Sequence, residues 1–515
     1  MIGTSCRFVL ALAALATGPA FSLGEGPAAL PPVPQEAAGE PEAAARATTP
    51  GGERTFTFAR FGTVHVYGDP ATAKQVVLFA SGDGGWELGV VDMARELASL
   101  DALVIGIDVV HFLHQVEAGS DRCAYPAADF EQLAQFVEKE LGLEHYIVPV
   151  LVGYSSGATL VYALQAQAPP ATFRGAISLG FCPDLWTAKS FCRGHGLESS
   201  LKSKGKGVLF APATALETPW IVFQGDVDQV CEPAATAAFV GRVPHGELVA
   251  LPKVGHGFSV PRNWLPQFKT SFARLADPPP ASVPPEPLAA GPGTQGAAPP
   301  SDLPLVEVAA TGPPGGPLAA ATLAVVLSGD GGWAGMDKEI AGELARLGIP
   351  TVGWNSLQYY WHARTPEGAA ADLTRVLAHY LPAWQRDRVL LVGYSFGADV
   401  LPFLVARLPE SWRKRIDLVT LIAPSTTAQF EFHVAEWMGS TDASALPTAP
   451  EVARLAGLRV LCLQGEDDTE SLCRKLPAGA AEVTVLGGGP HFGGGYAEVA
   501  RRIVAALPSS APAAP

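Results

Sequence analysis

The sequence is short of basic residues and has no long internal hydrophobic run. It contains 35 Lys and Arg against 50 Asp and Glu, a net charge of -15 at pH 7. This balance argues against a nucleic-acid-binding protein and against adhesion to anionic lipid through bulk charge. No internal stretch is long enough to span a bilayer. Hydrophobic residues nevertheless make up 48% of the chain, so we expect folded domains with hydrophobic cores.

Cysteine is also scarce, with seven in 515 residues. Residues 1–20 combine Arg7, an apolar run from Phe8 to Ala16 and small residues at 18–20. This pattern is typical of a Sec-type export signal and predicts a periplasmic protein, with a buried N-terminal helix as the alternative. Cleavage of the signal would also remove Cys6.

Six cysteines then remain, and an even number in an exported chain suggests disulfides. Cys462 and Cys473 are alone in the second half and are the expected pair there. The other four allow three pairings, and the sequence does not choose among them: Cys123, Cys182, Cys192 and Cys231. No Cys/His spacing resembles a zinc site, so neither a metal nor a cofactor is expected.

Composition divides the rest of the chain into two long segments. Residues 21–53 are predicted to be a disordered leader, 277–304 a Pro/Ala/Gly-rich linker and 508–515 a disordered tail. Between them, 54–276 and 305–507 alternate short apolar strands with helical stretches. That alternation predicts a mostly parallel sheet flanked by helices in each segment. The expected fold is therefore two tandem α/β-hydrolase-like domains.

A Gly-x-Ser-x-Gly elbow occurs in both segments. Gly393-Tyr394-Ser395-Phe396-Gly397 follows the apolar run 389–392, and Gly153-Tyr154-Ser155-Ser156-Gly157 follows the run 150–152. Such a turn between a strand and a helix exposes the serine hydroxyl above helix N–H groups. We interpret Ser395 and Ser155 as nucleophiles, with a structural serine in a tight turn as the alternative.

Each elbow is followed by an acid and then a histidine, in the order used by this class of hydrolase. Asp228 lies 73 positions after Ser155, and Asp468 lies 73 positions after Ser395. His256 and His491 each follow a final strand. The sequence thus predicts two triads, listed in order: Ser155, Asp228 and His256; Ser395, Asp468 and His491.

The motif Ser-Gly-Asp-Gly-Gly-Trp follows an early strand in both halves, at 81–86 and 328–333. An oxyanion hole needs two backbone N–H donors, one of them from the residue after the nucleophile. The predicted donors are Ser156, Asp83 and Gly84 in the first half, and Phe396, Asp330 and Gly331 in the second. The alternative is a glycine-rich turn with a core tryptophan.

Several motifs of the second half resemble the VirJ family of bacterial virulence proteins: LSGDGGW at 327–333, GWxSLxYYW at 353–361, TPE at 365–367, GYSFGADVLPF at 393–403, and the 465–473 and 491–492 segments. The whole chain resembles the longer, two-domain AcvB members of that family. The resemblance implies a periplasmic hydrolase of lysyl-phosphatidylglycerol, with an aminoacylated phospholipid at the membrane surface as its substrate. It also implies a link to type IV secretion components.

Asp399 lies one turn after Ser395, where the first half has Thr159. It is a candidate to bind the ammonium of the substrate; a helix cap or an arginine partner is the alternative. We expect Pro402 to disturb the helix that follows the elbow.

The fuller family pattern favours Ser395 as the main site. Two functions compete with the aminoacyl-lipid esterase: a non-catalytic assembly factor on a hydrolase scaffold, and a generic exported esterase.

Overall fold

The computed structural model describes residues 53–202, 207–276, 300–432, 445–489, 492 and 496–508, without the side chain of residue 88. The predicted signal, almost all of the leader and tail, and most of the linker lie outside these ranges, as does His491. Among the described helices, none has both the length and the apolarity needed to cross a bilayer.

The first half forms one large sheet with helices on both faces. The strands of the first half are β1 (Arg54–Phe58), β2 (Gly62–Tyr67), β3 (Gln75–Ala80), β4 (Ala102–Ile107), β5 (Val150–Tyr154), β6 (Gly175–Leu179), β7 (Asp184–Leu185), β8 (Ser199–Leu201), β9 (Val208–Phe210), β10 (Trp220–Gly225) and β11 (Gly246–Leu251). Of these, β7, β8 and β9 form a separate small sheet. Its helices are α1 (Leu88–Ala98), α2 (Val109–Ala118), α3 (Pro126–Glu140), α4 (Ser156–Gln167), α5 (Pro233–Val240) and α6 (Leu265–Ala276).

The second half repeats this plan. Its strands are β12 (Leu305–Val308), β13 (Thr322–Leu327), β14 (Thr351–Trp354), β15 (Arg388–Tyr394), β16 (Ile416–Ile422), β17 (Thr427–Ala428), β18 (Leu446–Pro447), β19 (Val460–Gly465) and β20 (Glu482–Leu486). Its helices are α7 (Pro317–Ala321), α8 (Gly335–Arg346), α9 (Ser356–Tyr359), α10 (Pro366–Ala383), α11 (Phe396–Arg407), α12 (Glu410–Arg413), α13 (Thr448–Ala453) and α14 (Tyr496–Ala505).

The two main sheets have the same strand order. In the first it is β1-β2-β4-β3-β5-β6-β10-β11, and in the second β12-β14-β13-β15-β16-β19-β20. Strands from β4 to β11, and from β14 to β20, run parallel along these orders, while β1, β2 and β12 add antiparallel edges. The predicted α/β class with mostly parallel sheets flanked by helices is confirmed.

Each sheet is buried on both faces by the helices that flank it. Successive strand residues point to opposite faces, so both sets of side chains are buried. In β3, Val76 and Leu78 pack into one hydrophobic cluster, and Val77 and Phe79 into another. A continuous apolar run therefore serves two cores at once.

The structure moves the predicted end of the linker and corrects one prediction about a helix. Residues 300–304, assigned to the linker, pack on the second half: Leu303 is buried, and Asp302 forms an ion pair with Arg375. The expectation that Pro402 would disturb its helix is wrong, since α11 continues through Pro402 to Arg407. Proline removes a single backbone donor there. The burial of the helix from Gly397 to Val405 on its own sheet offsets that loss.

Three disulfides join Cys123 to Cys192, Cys182 to Cys231, and Cys462 to Cys473. The last is the pair that the sequence predicts, and the first two select one of the three pairings left open. Three disulfides in one chain are typical of a protein that folds in an oxidising, extracytoplasmic compartment.

The halves pack against each other head to tail. The second half contributes segments at the carboxyl ends of its strands, around 331–339, 357–362 and 430–432, while the first contributes α3 and segments that precede its strands, around 143–146 and 169–170. The carboxyl-end edge of the second sheet, which carries Ser395, therefore faces the first half. The corresponding edge of the first sheet, which carries Ser155, points away from the second half.

Trp361 is the central contact between the halves. Its side chain is 1% exposed and belongs to the hydrophobic core of the first half. Its indole N–H donates to the carbonyl oxygen of Leu143 at 2.8 Å, and its ring stacks on Phe432. Lys139 of α3 forms an ion pair with Glu431 at 2.9 Å. The aromatic cluster of the family motif thus includes an anchor between domains.

Candidate active sites at the two serine elbows

Ser155 and Ser395 occupy the same strained turn. Ser155 has φ 54° and ψ -119°, and Ser395 has φ 49° and ψ -118°. Non-glycine residues seldom adopt positive φ, and such strain is concentrated at functional sites. Each serine directly precedes a helix, α4 or α11, whose first N–H groups have no acceptor within the helix. The elbow context predicted from the sequence is therefore present in both halves.

The glycines of the elbow are required by packing. A Cβ atom on Gly153 would overlap the carbonyl oxygen of Gly157, and one on Gly157 would overlap the carbonyl oxygen of Ala80. Gly393 and Gly397 meet the same obstacles in the second half. The close approach of strand, elbow and neighbouring strand excludes any larger side chain at these positions.

In the first half, the structure brings the three predicted residues into one hydrogen-bonded chain. Nε2 of His256 lies 2.9 Å from Oγ of Ser155, and Nδ1 lies 2.9 Å from Oδ2 of Asp228. These distances are within hydrogen-bond reach at both steps. The arrangement is that of a serine activated by a histidine whose ring is oriented by a carboxylate.

Asp228 is buried and held by its surroundings. Its Oδ1 accepts from the N–H groups of Val230 at 2.8 Å and Cys231 at 3.0 Å, and its Oδ2 accepts from Gln224 at 3.2 Å. Burial alone would raise the pKa of Asp228, but the N–H groups of Cys231 and Val230 and the His256 ring lower it below its usual value. The group therefore remains a carboxylate that can stabilise a charged imidazole.

The Cys182–Cys231 disulfide lies beside this acid, because the same Cys231 donates to Asp228. Tyr154 of the elbow donates through its hydroxyl to the carbonyl oxygen of His256 at 3.2 Å. The acid and the base are thus each fixed by a neighbour in the same half. Neither of these two contacts was predicted from the sequence.

In the second half, the structure describes two of the three predicted residues. Asp468 follows β19 as Asp228 follows β10, and its Oδ1 accepts from the N–H of Ser471 at 3.1 Å. His491 lies outside the described residues. Phe258 and Phe492 share a buried position with positive φ, at 48° in each. His256 lies two residues before this turn and His491 one residue before it, so the two histidine loops differ in length.

The Ser-Gly-Asp-Gly-Gly-Trp loops reach both elbows, and the second residue of each loop lies against the serine. A Cβ atom on Gly82 would lie 3.1 Å from Cβ of Ser155, and one on Gly329 would lie 3.6 Å from Cβ of Ser395. The predicted donors Asp83, Gly84, Asp330 and Gly331 lie further along the same loops. Ser156 and Phe396 begin α4 and α11, where the prediction placed the other N–H donor.

The first serine of each loop ties the site together. Ser81 is fully buried and accepts from the N–H of Val109 at 3.1 Å, while Ser328 is fully buried and accepts from the N–H of Ser356 at 2.9 Å. Each tie joins the loop to the start of the helix that follows the neighbouring strand, α2 after β4 and α9 after β14. The serine recurs at the first position of the motif in both halves, and this recurrence is the sequence signal that could have revealed the contact. The tryptophan of each loop packs on a strand glycine, Gly106 or Gly353.

Carboxylates surround the loop of the second site. Oε1 of Glu131, on α3 of the first half, would lie 3.6 Å from a Cβ atom on Gly331. Burial raises the pKa of Glu131 to about 8, and the negative charge of Asp330 adds to the effect. Asp399 is 8% exposed, and its Oδ1 accepts from the N–H of Ser425 at 2.5 Å. The sequence could not reveal Glu131, which lies about 200 positions from the loop it adjoins.

Among the described residues, one group of His, Cys, Asp and Glu atoms is close enough to hold an ion, namely Asp228, Cys231 and His256. Cys231 is in a disulfide and the other two form the hydrogen-bonded chain with Ser155. The donor set therefore does not suit a metal.

A protein-family model described as bacterial virulence protein (VirJ) matches residues 74–178 and 321–511. No curated protein sequence matches the chain. Solved structures with similar folds include the esterase domain of a Rhodothermus marinus protein, 16% identical, which covers 43% of this chain and 93% of that one with a TM-score of 0.28. Another is an α/β serine hydrolase homologue from Coxiella burnetii, 17% identical, covering 44% of this chain and 98% of that one with a TM-score of 0.29.

Proposed function

Because the chain belongs to the VirJ family of bacterial virulence proteins, we propose that it is a periplasmic serine hydrolase that cleaves the aminoacyl ester of lysyl-phosphatidylglycerol. The observation that carries the hydrolase activity is the hydrogen-bonded chain from Ser155 through His256 to Asp228. The lysyl lipid is proposed on the family resemblance and on the carboxylates near the second elbow. An exported protein with three disulfides suits a periplasmic reaction.

The proposed reaction has two steps at each serine. The histidine takes the proton of the serine hydroxyl as Oγ bonds to the ester carbonyl carbon, and loop and helix N–H groups stabilise the oxyanion. The bond from carbon to the glycerol oxygen then breaks, and the histidine gives its proton to that leaving oxygen. Water, activated by the same histidine, hydrolyses the acyl-serine and releases the amino acid. No cofactor is required.

The second site is the better candidate for a cationic aminoacyl group. Asp330, Asp399 and the Glu131 carboxyl group of the first half all lie on or near its elbow and loop. The ammonium groups of a lysyl ester would offset the negative charge of Asp330 and Asp399, and would favour release of the proton that Glu131 holds below about pH 8. Thr159 takes the place of Asp399 in the first half and donates instead to the carbonyl oxygen of Cys182 at 2.6 Å. The two sites therefore differ in charge.

A serine-directed phosphonate tests whether the elbows are catalytic. Activated Ser155 and Ser395 should both be labelled in native protein, and Ser155→Ala and Ser395→Ala should each remove one labelled peptide. Folded protein that reacts at neither serine, beside a reactive control hydrolase, would favour the alternative of a non-catalytic assembly factor for type IV secretion.

Release of lysine from lysyl-phosphatidylglycerol tests the substrate. We expect Ser395→Ala to abolish release and Ser155→Ala to leave most of it, because the carboxylates lie at the second site. Asp399→Asn should weaken cleavage of the lysyl ester more than that of a neutral aminoacyl ester, by about tenfold to a hundredfold. Loss from Ser155→Ala alone would move the lysyl site to the first half. Labelled protein that releases no lysine would indicate a generic exported esterase.

A further inference from the structure

Large hydrophobic side chains are exposed unevenly. Of the ten that are exposed within the described ranges, seven lie in the first half. Five of those seven follow the carboxyl ends of strands in the first sheet, and we call these five the apolar rim: Val110, Trp186, Val227, Val230 and Val260. Trp186 is 68% exposed and Val230 is 67% exposed. Single exposed apolar residues are ordinary, but several at one edge mark an interaction site.

The apolar rim lies on segments that adjoin the Ser155 site along the chain. Val110 begins α2, next to the buried tie between Ser81 and Val109. Val227 and Val230 flank Asp228, and Val260 lies four residues after His256. Trp186 follows β7, in the excursion that leaves β6. Carboxyl ends of parallel strands meet at one edge of a sheet, so Val110, Val227, Val230 and Val260 share the edge that bears the serine. Trp186 lies in the excursion that begins at that edge, after β6.

The described residues of the second half pack elsewhere and do not cover this edge. They pack on α3 and on segments that precede the strands of the first sheet, at the opposite edge. The apolar rim is therefore left open to an external partner. Exposed carboxylates of the same edge, Asp83, Glu87 and Asp226, add negative charge beside it.

We propose that the apolar rim is a lipid-docking surface that seats the first half on a bilayer containing cationic aminoacyl lipid. The occupant follows from two features together. An apolar rim beside an ester-cleaving triad suits a molecule that joins acyl chains to an ester, and nearby carboxylates suit an ammonium head group. The choice of lipid rests on the proposed function, whereas docking itself does not require hydrolysis.

Flotation with vesicles tests the proposal, using the full mature chain as Ser155→Ala/Ser395→Ala so that no lipid is consumed. One vesicle is phosphatidylcholine alone, and the other also contains lysyl-phosphatidylglycerol. We expect binding to both and stronger binding to the second. The rim variant Val110→Ser/Trp186→Ser/Val260→Ser, made in the same background, should lose at least about tenfold in partitioning because three apolar side chains no longer enter the interface.

The matched control is Val483→Ser/Val485→Ser, two exposed valines on strand β20 of the second half. It should bind vesicles as the parent does. With both serines intact, the rim variant should keep its rate on a dissolved short-chain ester, which shows that it is folded. Brominated lipid should quench fluorescence in the parent and quench less in Trp186→Phe.

Three results would overturn the proposal. The first is absence of vesicle binding in the parent, and the second is an equal loss in the rim and control variants. The third is a rim variant that changes the oligomeric state and not the partitioning, which would identify the rim as a contact between copies of the chain. Vesicle binding by the parent, together with no lysine release by protein that keeps both serines, would instead sink the proposed substrate and leave docking intact.

Discussion

At the scale of single residues, Asp228 shows how the acid of the proposed triad is kept charged while buried. Three hydrogen bonds from neighbours and one from His256 compensate for its removal from water. A buried carboxylate without such partners would take up a proton instead. The ring orientation of His256 therefore depends on Asp228 being ionised.

Asp228→Asn should lower the turnover of a soluble ester by about 10⁴-fold, because the amide cannot hold the imidazole in the productive tautomer. The measurement is turnover in a Ser395→Ala background, so that only the first site contributes. Asp226→Asn is the matched control: it lies two residues away, is exposed and accepts only from the N–H of Lys253 among the described contacts. Similar losses in both variants would contradict a specific role for Asp228.

The residue scale also shows what sequence reasoning reaches. Ser155, Asp228 and His256 were found because the order and spacing of acid and base recur in a duplicated setting. The close approach of Gly82 to Ser155 was not predicted, because it is set by the packing of the loop against the elbow, and no spacing rule reports that distance. Glu131 was missed for the same reason on a larger scale, since it adjoins Gly331 only after the halves have packed.

At the scale of elements, the strand-elbow-helix unit was predictable and the short additions were not. Apolar runs bounded by glycine identify β5 and β15 directly. The two- and three-residue strands β7, β8 and β9 form a small sheet of their own. Strands this short carry no periodic signal. Pro402 was misjudged because helix propensity was weighed without the burial that α11 gains on its sheet.

The loop that carries Asp468 is closed by the Cys462–Cys473 disulfide, with eleven residues of separation. Replacing both cysteines by serine should reduce the free energy of unfolding by roughly 2–3 kcal/mol, through the greater entropy of the open loop in the unfolded chain. Denaturant unfolding measures the change, and peptide mapping of non-reduced protein checks the bond beforehand. If mapping shows the bond and the variant is as stable as the parent, the expected stabilisation by loop closure is contradicted.

At the scale of the whole molecule, the halves are joined through a tryptophan. Trp361→Ala should destabilise the protein by about 3–5 kcal/mol, because a buried indole is replaced by a cavity between the two cores. Calorimetry should then resolve two transitions, since the halves no longer unfold together. Trp186→Ala removes an exposed indole and should leave the single transition in place. A single, unshifted transition in Trp361→Ala would contradict the anchoring role.

The same contact between halves should respond to pH through Glu131. Its pKa is raised from 4.5 to about 8 by burial and by Asp330, so the folded protein binds a proton that the unfolded chain has released. Stability from this group is complete below about pH 4.5 and is lost as the pH rises towards 8. Glu131→Gln should therefore gain melting temperature over the parent progressively between these limits, and Glu140→Gln, at the end of the same helix, should not. A constant difference across the range would contradict the shift.

Head-to-tail packing has no symmetry, so the two copies of the duplicated domain have evolved under different constraints. Six residues after the helix caps Asp108 and Asn355, the first copy has exposed His114 where the second has buried Trp361. Selection on the second copy must preserve the fit between the first half and the sheet edge that carries Ser395. The corresponding edge of the first copy, which carries Ser155, points away from the second half and can adapt to other contacts. Divergence between the copies is thus expected to be greatest in these edge loops and least in the strands beneath them.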